Sequence, residues 1–398
     1  MYITRPDGVV IEVDDELQVN KLLRQADWRE SSEAEIDNYK AKKAQVLAQA
    51  AASSVSGLQI YYQTVGSSPD GYGMSRDILK TELFNQGVLL QEEFKKQKVG
   101  LLYSYPTSVT SLQTDIRLIM TMFESDRIPE DWPDYLKMAD EVIVPSKWCA
   151  DVFAKDGIKA TVVPLGYNDR VFRFMERDIP VEKEEPFTFI HYNSFNMRKG
   201  FSEVFKAFTE EFGPDEPARL ILKTTDPRSP IPIIRSQYPN VEVITEKVTE
   251  NQLTQLLGRV HCMVYPSRGE GFGITPLEAM ATGLPAIVPN AHGISEYFNP
   301  NYMLEVKVGE KCPGLYQRFK GQYVGEMVIC DVEDLKKQMR YAYNHQEEMK
   351  KLGESASEYV KRYTYQETAR RLKEIIVKWQ EAEVIKRNDS KYLQVERV

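Results

Sequence analysis

Two glutamates, Glu270 and Glu278, stand eight positions apart in the segment Tyr265 to Pro289, YPSRGEGFGITPLEAMATGLPAIVP, with a Gly271-Phe272-Gly273 bend directly after the first. An apolar run, Cys262 to Tyr265, ends in Pro-Ser ahead of them, and Thr275-Pro276 opens a run of helix formers from Leu277 to Ala281. The pattern predicts a strand, a tight loop and a helix N-terminus. Such a junction aims unpaired backbone N–H groups and the positive end of the helix dipole at one place, which suits a diphosphate. Gly271 and Gly273 let the backbone come close to that ligand. With Glu270 closing the loop and Glu278 one turn into the helix, both carboxylates face one cleft and can hold sugar hydroxyls.

The flanking sequence supplies elements to position these groups. Phe187-Thr188-Phe189-Ile190-His191-Tyr192-Asn193 reads as a strand, followed by Asn196-Met197-Arg198-Lys199-Gly200 and an amphipathic helix from Phe201 to Phe208. Arg198 and Lys199 are thereby placed beside the same cleft, where they can neutralise a departing diphosphate. A charged connector, Glu176 to Glu185, precedes this strand. Strand-like runs at Leu220–Lys223, Val241–Ile244, Cys262–Tyr265 and Ala286–Val288, alternating with a helix over Glu250–Leu257, predict a parallel sheet. An earlier α/β unit opens at Leu58–Tyr62, passes through the glycine-rich stretch Gly66 to Gly73, and continues as a helix over Met74–Asn85. Those glycines do not match the dinucleotide fingerprint, so no NAD-type cofactor is expected. Within this unit the apolar run Ile116 to Phe123 delivers Glu124 at its C-terminal end, where ligands of such sheets gather.

Glu270 to Glu278, continued by Gly283-Leu284-Pro285 and His292-Gly293-Ile294-Ser295-Glu296, resembles the acidic signature of retaining glycosyltransferases of family four, which have the GT-B fold. The stretch Phe123 to Asn168, with Val163-Pro164-Leu165-Gly166, is similar to the end of that family's N-terminal domain. The resemblance implies an α/β architecture of two Rossmann-like domains facing a cleft, joined here by a small N-terminal α+β appendage. It implies that Glu278 binds the donor's ribose and that Glu270 lies by the transferred sugar. The donor would further meet the backbone of Gly271, Phe272, Gly273, Ile274 and Thr275, with Asn193, Gly73 and His292 close by. In the family's usual pattern an arginine stands at the end of the strand before the lysine. Asn193 and Ser194 occupy that place here, which moves phosphate duty toward Arg198. Relatives often carry a histidine in the N-terminal half, but the first histidine of this chain is His191, so Glu124 is the candidate at the acceptor or reacting centre.

Length suits two domains plus an appendage: residues 1–55 as accessory module and linker, 56–180 as acceptor domain completed by a C-terminal helix over 366–390, and 181–365 as donor domain. Tyr2–Thr4 and Val9–Ile11 around Pro6-Asp7-Gly8 predict a hairpin, and helix-compatible sequence runs from Asp15 to Ala51. No stretch approaches the roughly 20 apolar residues of a membrane span, and no signal-peptide pattern precedes Asp15, so a cytoplasmic location is expected. Four scattered cysteines read as reduced thiols, and His191 and His261 as strand residues with structural roles. No metal-binding pattern occurs, and neither a metal nor a cofactor is expected. A net charge of −8 argues against a nucleic-acid-coating surface, although modified DNA stays among the large acceptors, with polysaccharide and protein, that a short acceptor domain would suit. The resemblance implies retaining transfer from a nucleoside-diphosphate sugar; how the retained face is attacked is not legible, and a front-side route, which needs no protein nucleophile, fits the missing histidine. A nucleotide-sugar epimerase and a noncatalytic nucleotide-sugar-binding protein are the alternatives. Donor base, sugar, acceptor and oligomeric state are not legible.

Overall fold

The computed structural model describes residues 1–4, 10–12, 20, 23, 28–52, 58–64, 71–91, 98–178, 185–224, 237–316, 319 and 321–395. Two six-stranded, all-parallel sheets form its frame. In the first, the strands run in the order Leu89–Gln91, Gln59–Thr64, Val99–Tyr103, Ile116–Met120, Glu141–Val144 and Ala160–Val162. In the second the order is Val241–Ile244, Ala218–Lys223, Phe187–Tyr192, Cys262–Val264, Ala286–Pro289 and Leu304–Val306. Helices cover both faces, which is why strands such as Val99–Tyr103 and Phe187–Tyr192 are buried at every position and read as unbroken apolar runs. In the second sheet the direction of winding reverses between Phe187–Tyr192 and Cys262–Val264. A crevice opens outside the C-terminal ends of strands at such a point.

The helix Tyr365–Val395 returns to the first sheet. Its Tyr365 hydroxyl donates to Ser75 Oγ at 2.6 Å, Thr368 Oγ1 donates to the Pro164 carbonyl at 2.8 Å, and Trp379 Nε1 donates to Glu141. The chain crosses itself tightly there. A Cβ on Gly166 would lie 2.0 Å from the Thr364 carbonyl carbon, so only glycine lets the two segments pair.

Several expectations from the sequence need correction. The helix expected from Met74 begins at Gly71, which places Gly73 in its first turn and not in a loop; residues 65–70 lie outside the described residues. The hairpin strands Tyr2–Thr4 and Val10–Glu12 do pair antiparallel, but a third strand, Arg29–Glu30, joins them and the helix starts only at Glu33. The Pro6-Asp7-Gly8 turn lies outside the described residues. Arg177, expected in a charged connector, is 7% exposed and donates to the carbonyls of Leu257, Val260 and Thr282, pinning two helix ends. Finally, the region after Leu304–Val306, to which no element is assigned from sequence, is ordered as two strands. Val308–Tyr316 and Gln322–Cys330 form an antiparallel hairpin that no local sequence pattern announces.

Candidate active site

The reversal point of the second sheet brings Asn193, Arg198, Lys199 and Glu270 together. Asn193, Arg198 and Lys199 follow strand Phe187–Tyr192, and Tyr265 to Gly273 follow the adjacent strand Cys262–Val264. Glu270 is 6% exposed and heavily bonded. Its Oε1 accepts from Lys199 Nζ at 2.6 Å, Ser267 Oγ at 2.7 Å and the Tyr265 hydroxyl at 2.8 Å, while Oε2 lies 3.0 Å from Arg198 Nη1. Burial opposes its charge, but Lys199 and Arg198 outweigh that and hold the carboxyl well below the usual carboxylate range. Arg198 also donates to the Gly269 carbonyl and reaches Glu124 Oε1 at 3.9 Å. Two cations and two carboxylates are therefore balanced in one partly enclosed cluster.

Glu124 arrives from the other sheet, four residues beyond strand Ile116–Met120, and is 7% exposed. The lobes meet closely at this point: a Cβ on Gly269 would sit 2.1 Å from the Glu124 carbonyl oxygen. Ser146 caps helix Lys147–Ala154 by accepting from Cys149 N at 3.1 Å and donates its own proton to the Gly271 carbonyl at 2.8 Å. That single hydroxyl ties the first lobe to the glycine bend of the second.

The helix expected after the bend spans Ile274–Ala281, and its N-cap is Gly273 at φ 87°, which makes no side-chain capping bond. Its first N–H groups thus have no side-chain capping oxygen. Glu278 lies one turn in and is half-buried; the Tyr192 hydroxyl lies 2.9 Å from the Thr275 carbonyl and 3.3 Å from Glu278 Oε2. Burial, reinforced by Glu250 and opposed by Tyr192, pushes the Glu278 carboxyl up to about 8. The Phe272 side chain is 1% exposed and packs on Tyr297, leaving its backbone alone for a ligand.

His292 is 6% exposed in a left-handed conformation, φ 43°, rare for a side chain of its size. Its Nε2 is 2.9 Å from the Ser267 carbonyl, which can only accept, so the ring proton sits on Nε2. Nδ1 is then a bare acceptor, buried and without a hydrogen-bond partner among the described residues. Burial lowers the ring to about 4, so it is neutral at pH 7. Asn193 Nδ2 donates to the Tyr265 hydroxyl at 3.0 Å. Of the other histidines, His191 is a core group bonded to the Val264 carbonyl, His261 sits just before its strand, not in it, and His345 lies exposed between two helices.

Tyr265, Ser267 and Tyr192 were not singled out from sequence, although the first two lie within the acidic segment. Their signal was a polar group at, or within three residues beyond, the C-terminal end of a buried strand. The hairpin was missed as well. It is tied to the second lobe by Val328 N to the Arg268 carbonyl, 3.0 Å, and Arg268 N continues to the Arg198 carbonyl, 2.7 Å. It is tied to the first lobe by Ser125 Oγ to the Val324 carbonyl, Glu326 N to Asp126 Oδ1 and Asp126 N to the Glu326 carbonyl. Tyr316 and Phe319 complete an aromatic cluster with Phe123 and Trp132 directly before Glu124.

Residues 173–359 match the family model of glycosyl transferases group 1. The architecture matches solved GT-B structures: sucrose-phosphate synthase from Thermosynechococcus elongatus at TM-score 0.63, with 14% identity, covering 81% of this chain and 99% of that one, and HepE from Anabaena, solved in complex with UDP and glucose, at TM-score 0.57, with 13% identity over 81% and 99%. These likenesses establish the fold: two Rossmann-like lobes in the GT-B arrangement. Among curated proteins, the chain is 28% identical over 225 residues to a protein of Acidianus filamentous virus 1 that bears the name "Putative glycosyltransferase ORF313", covering 55% of this chain and 66% of that relative, just under two thirds of its length. The fold is thus that of GT-B proteins, and residues 173–359 are similar to group 1 glycosyl transferases. Among the described residues no helix is long and apolar enough to cross a membrane.

Proposed function

We propose that this chain transfers a sugar from a nucleoside-diphosphate sugar to an acceptor with retention of anomeric configuration. The observation that carries the reading is the cluster in which Lys199 and Arg198 converge on Glu270 beside the uncapped N-terminus of helix Ile274–Ala281. A diphosphate entering there meets backbone N–H groups and a lysine that can exchange one anionic partner for another. Glu278 faces the ribose, and the lone pair of His292 Nδ1 accepts from a hydroxyl of the sugar.

The geometry favours a front-side route. Both oxygens of Glu270 are already engaged by cations and hydroxyls, which makes its carboxylate a poor nucleophile. In the front-side route the bond from the anomeric carbon to the leaving phosphate breaks, the acceptor oxygen bonds to the same face, and the departing phosphate takes the acceptor's proton. Lys199 and the helix N-terminus stabilise the charge that develops on the phosphate, and Arg198 with Glu124 lines the acceptor side. No metal ion is required in this scheme. Because HepE, of the same fold, was solved with UDP and glucose, UDP-glucose is the first donor to try, with polysaccharide, protein and modified DNA as acceptors.

Product analysis tests the proposal. Purified chain incubated with UDP-, GDP-, ADP- and dTDP-sugars releases nucleoside diphosphate only when acceptor is added, and proton NMR of the product shows the donor's anomeric configuration. An isomerised donor without acceptor would make it an epimerase, and binding without turnover a noncatalytic carrier. An inverted product would remove the front-side route.

A further inference from the structure

The C-terminal edge of the second sheet holds another cation, which the scheme above does not use. Lys223 closes strand Ala218–Lys223 and stands opposite Tyr192 in the parallel register, one pair beyond His191 and Leu222. Side chains alternate along a strand, and Ile190, Tyr192 and Ile221 all enter the core cluster shared with Leu257 and Leu277, from helices Glu250–Leu257 and Ile274–Ala281. Lys223 therefore belongs to the face on which the Tyr192 hydroxyl meets Glu278.

Lys223 is 6% exposed. Among the described residues its ammonium makes one contact, to the carbonyl of its own neighbour Thr224 at 3.5 Å, and no ion pair. Burial lowers its pKa, and Glu246, beyond the adjacent strand Val241–Ile244, opposes that through charge alone. An ammonium has three protons to place and no capacity to accept. Leaving it desolvated without a counter-ion is unfavourable, and an apolar chain of the same volume would fill the space at lower free energy. Fold stability gives no reason for a lysine here, whereas a ligand oxygen would.

The order along the sheet edge says which part of the ligand comes near. Glu270 follows strand Cys262–Val264, Lys199 follows Phe187–Tyr192, and Lys223 ends the next strand outward. A donor lying along that edge with its sugar at Glu270 and its diphosphate at Lys199 extends its nucleoside toward Lys223. Resting on the reading that this cleft takes a nucleoside-diphosphate sugar, we propose that Lys223 is a donor-binding residue whose ammonium donates to an oxygen of the nucleotide, either a carbonyl of the base or a non-bridging phosphate oxygen.

The test uses the full chain and isothermal titration with UDP, GDP, dTDP and ADP, followed by the free nucleoside of whichever binds tightest. Lys223→Met is expected to raise the Kd of that diphosphate roughly tenfold or more, the size of a lost charge-assisted bond, and Lys223→Arg to restore part of it. The ligand-free Met variant is expected to melt at a higher temperature than wild type, because the uncompensated charge is gone. If the loss extends to the nucleoside, the partner is a base carbonyl, and a preference for uracil, thymine or guanine over adenine follows. If the loss is confined to the diphosphate, the partner is a phosphate oxygen. Wild-type affinity in Lys223→Met, alongside weakened binding in Glu278→Ala, would overturn the assignment while leaving the cleft reading intact. A Met variant that melts below wild type would make the amine structural and overturn it too. Absence of binding by wild type to all four diphosphates would overturn both.

Discussion

Glu270 is the main counter-charge that makes the cation cluster tolerable without ligand, with Glu124 the more distant second. Lys199 is mostly buried and is held at 2.6 Å, and Arg198 at 3.0 Å, by this carboxylate. Replacing it by Gln leaves two desolvated cations with less than their counter-charge, a change of the kind that costs about 3–5 kcal/mol. Glu270→Gln is expected to unfold at much lower urea than wild type, and added nucleoside diphosphate to recover a larger share of stability in the variant than in wild type. Equal recovery would mean that the diphosphate does not meet Lys199. Glu278 behaves oppositely. Its unfolded value is near 4.3 and its folded value is raised to about 8, so folding favours the protonated form. That contribution is fully present below about pH 4.3 and is lost as pH rises through 8. Glu278→Gln carries no such dependence, and the melting temperature of the variant relative to wild type is expected to climb between pH 5 and about pH 8 and to level off above it. Parallel profiles would show that Glu278 is not desolvated in the cleft. Glu270 and Glu278 were legible as residues because their spacing joins a loop to one helical turn. Their opposite protonation tendencies were not, because these depend on Lys199 and Arg198 for one and on burial reinforced by Glu250 for the other.

At the scale of elements, helix Ile274–Ala281 and hairpin Val308–Cys330 illustrate the two extremes of legibility. The helix is announced by local chemistry: a glycine that reaches φ 87°, then Thr-Pro in the first turn, then good helix formers. The hairpin carries Gly309, Pro313, Gly314, Gly321 and Gly325, residues that weaken any strand prediction, and its alternation of buried and exposed positions is broken by two register shifts. What holds it is the first lobe beneath it. Gly325, at φ 61°, has no room for a side chain, since a Cβ would lie 2.7 Å from both Arg127 N and Asp126 Oδ1. Gly325→Val is expected to lift the hairpin off the loop that carries Glu124, lowering turnover severalfold or more while donor affinity, set by the second lobe, changes less than twofold. A matching loss in donor affinity would place the hairpin in the donor site and not at its acceptor end.

For the whole molecule, the decisive feature is that the reversal of strand order in the second sheet falls between the strands bearing Lys199 and Glu270. A crevice at that position follows from connectivity, and the first lobe closes over it through Ser146, Glu124 and the hairpin. Ligand that binds only the folded, assembled cleft must stabilise the whole chain. A preferred donor nucleotide at a hundredfold excess over its Kd is expected to add about 2.7 kcal/mol, read as a rise in melting temperature that Glu278→Ala diminishes. No rise with any of the four nucleoside diphosphates would count against a nucleotide site. By itself the sequence determined the two α/β units, the strand-loop-helix junction and the residue types that gather there, since hydrophobic runs, glycines and helix formers act over a few neighbours. Tertiary structure alone decided that Arg198 pairs with Glu270 and approaches Glu124, that a hairpin laces the lobes together, and that Lys223 is buried without a counter-ion among the described residues. Those outcomes depend on which segments, up to two hundred residues apart, exclude water from one another, and short-range pattern carries no record of that.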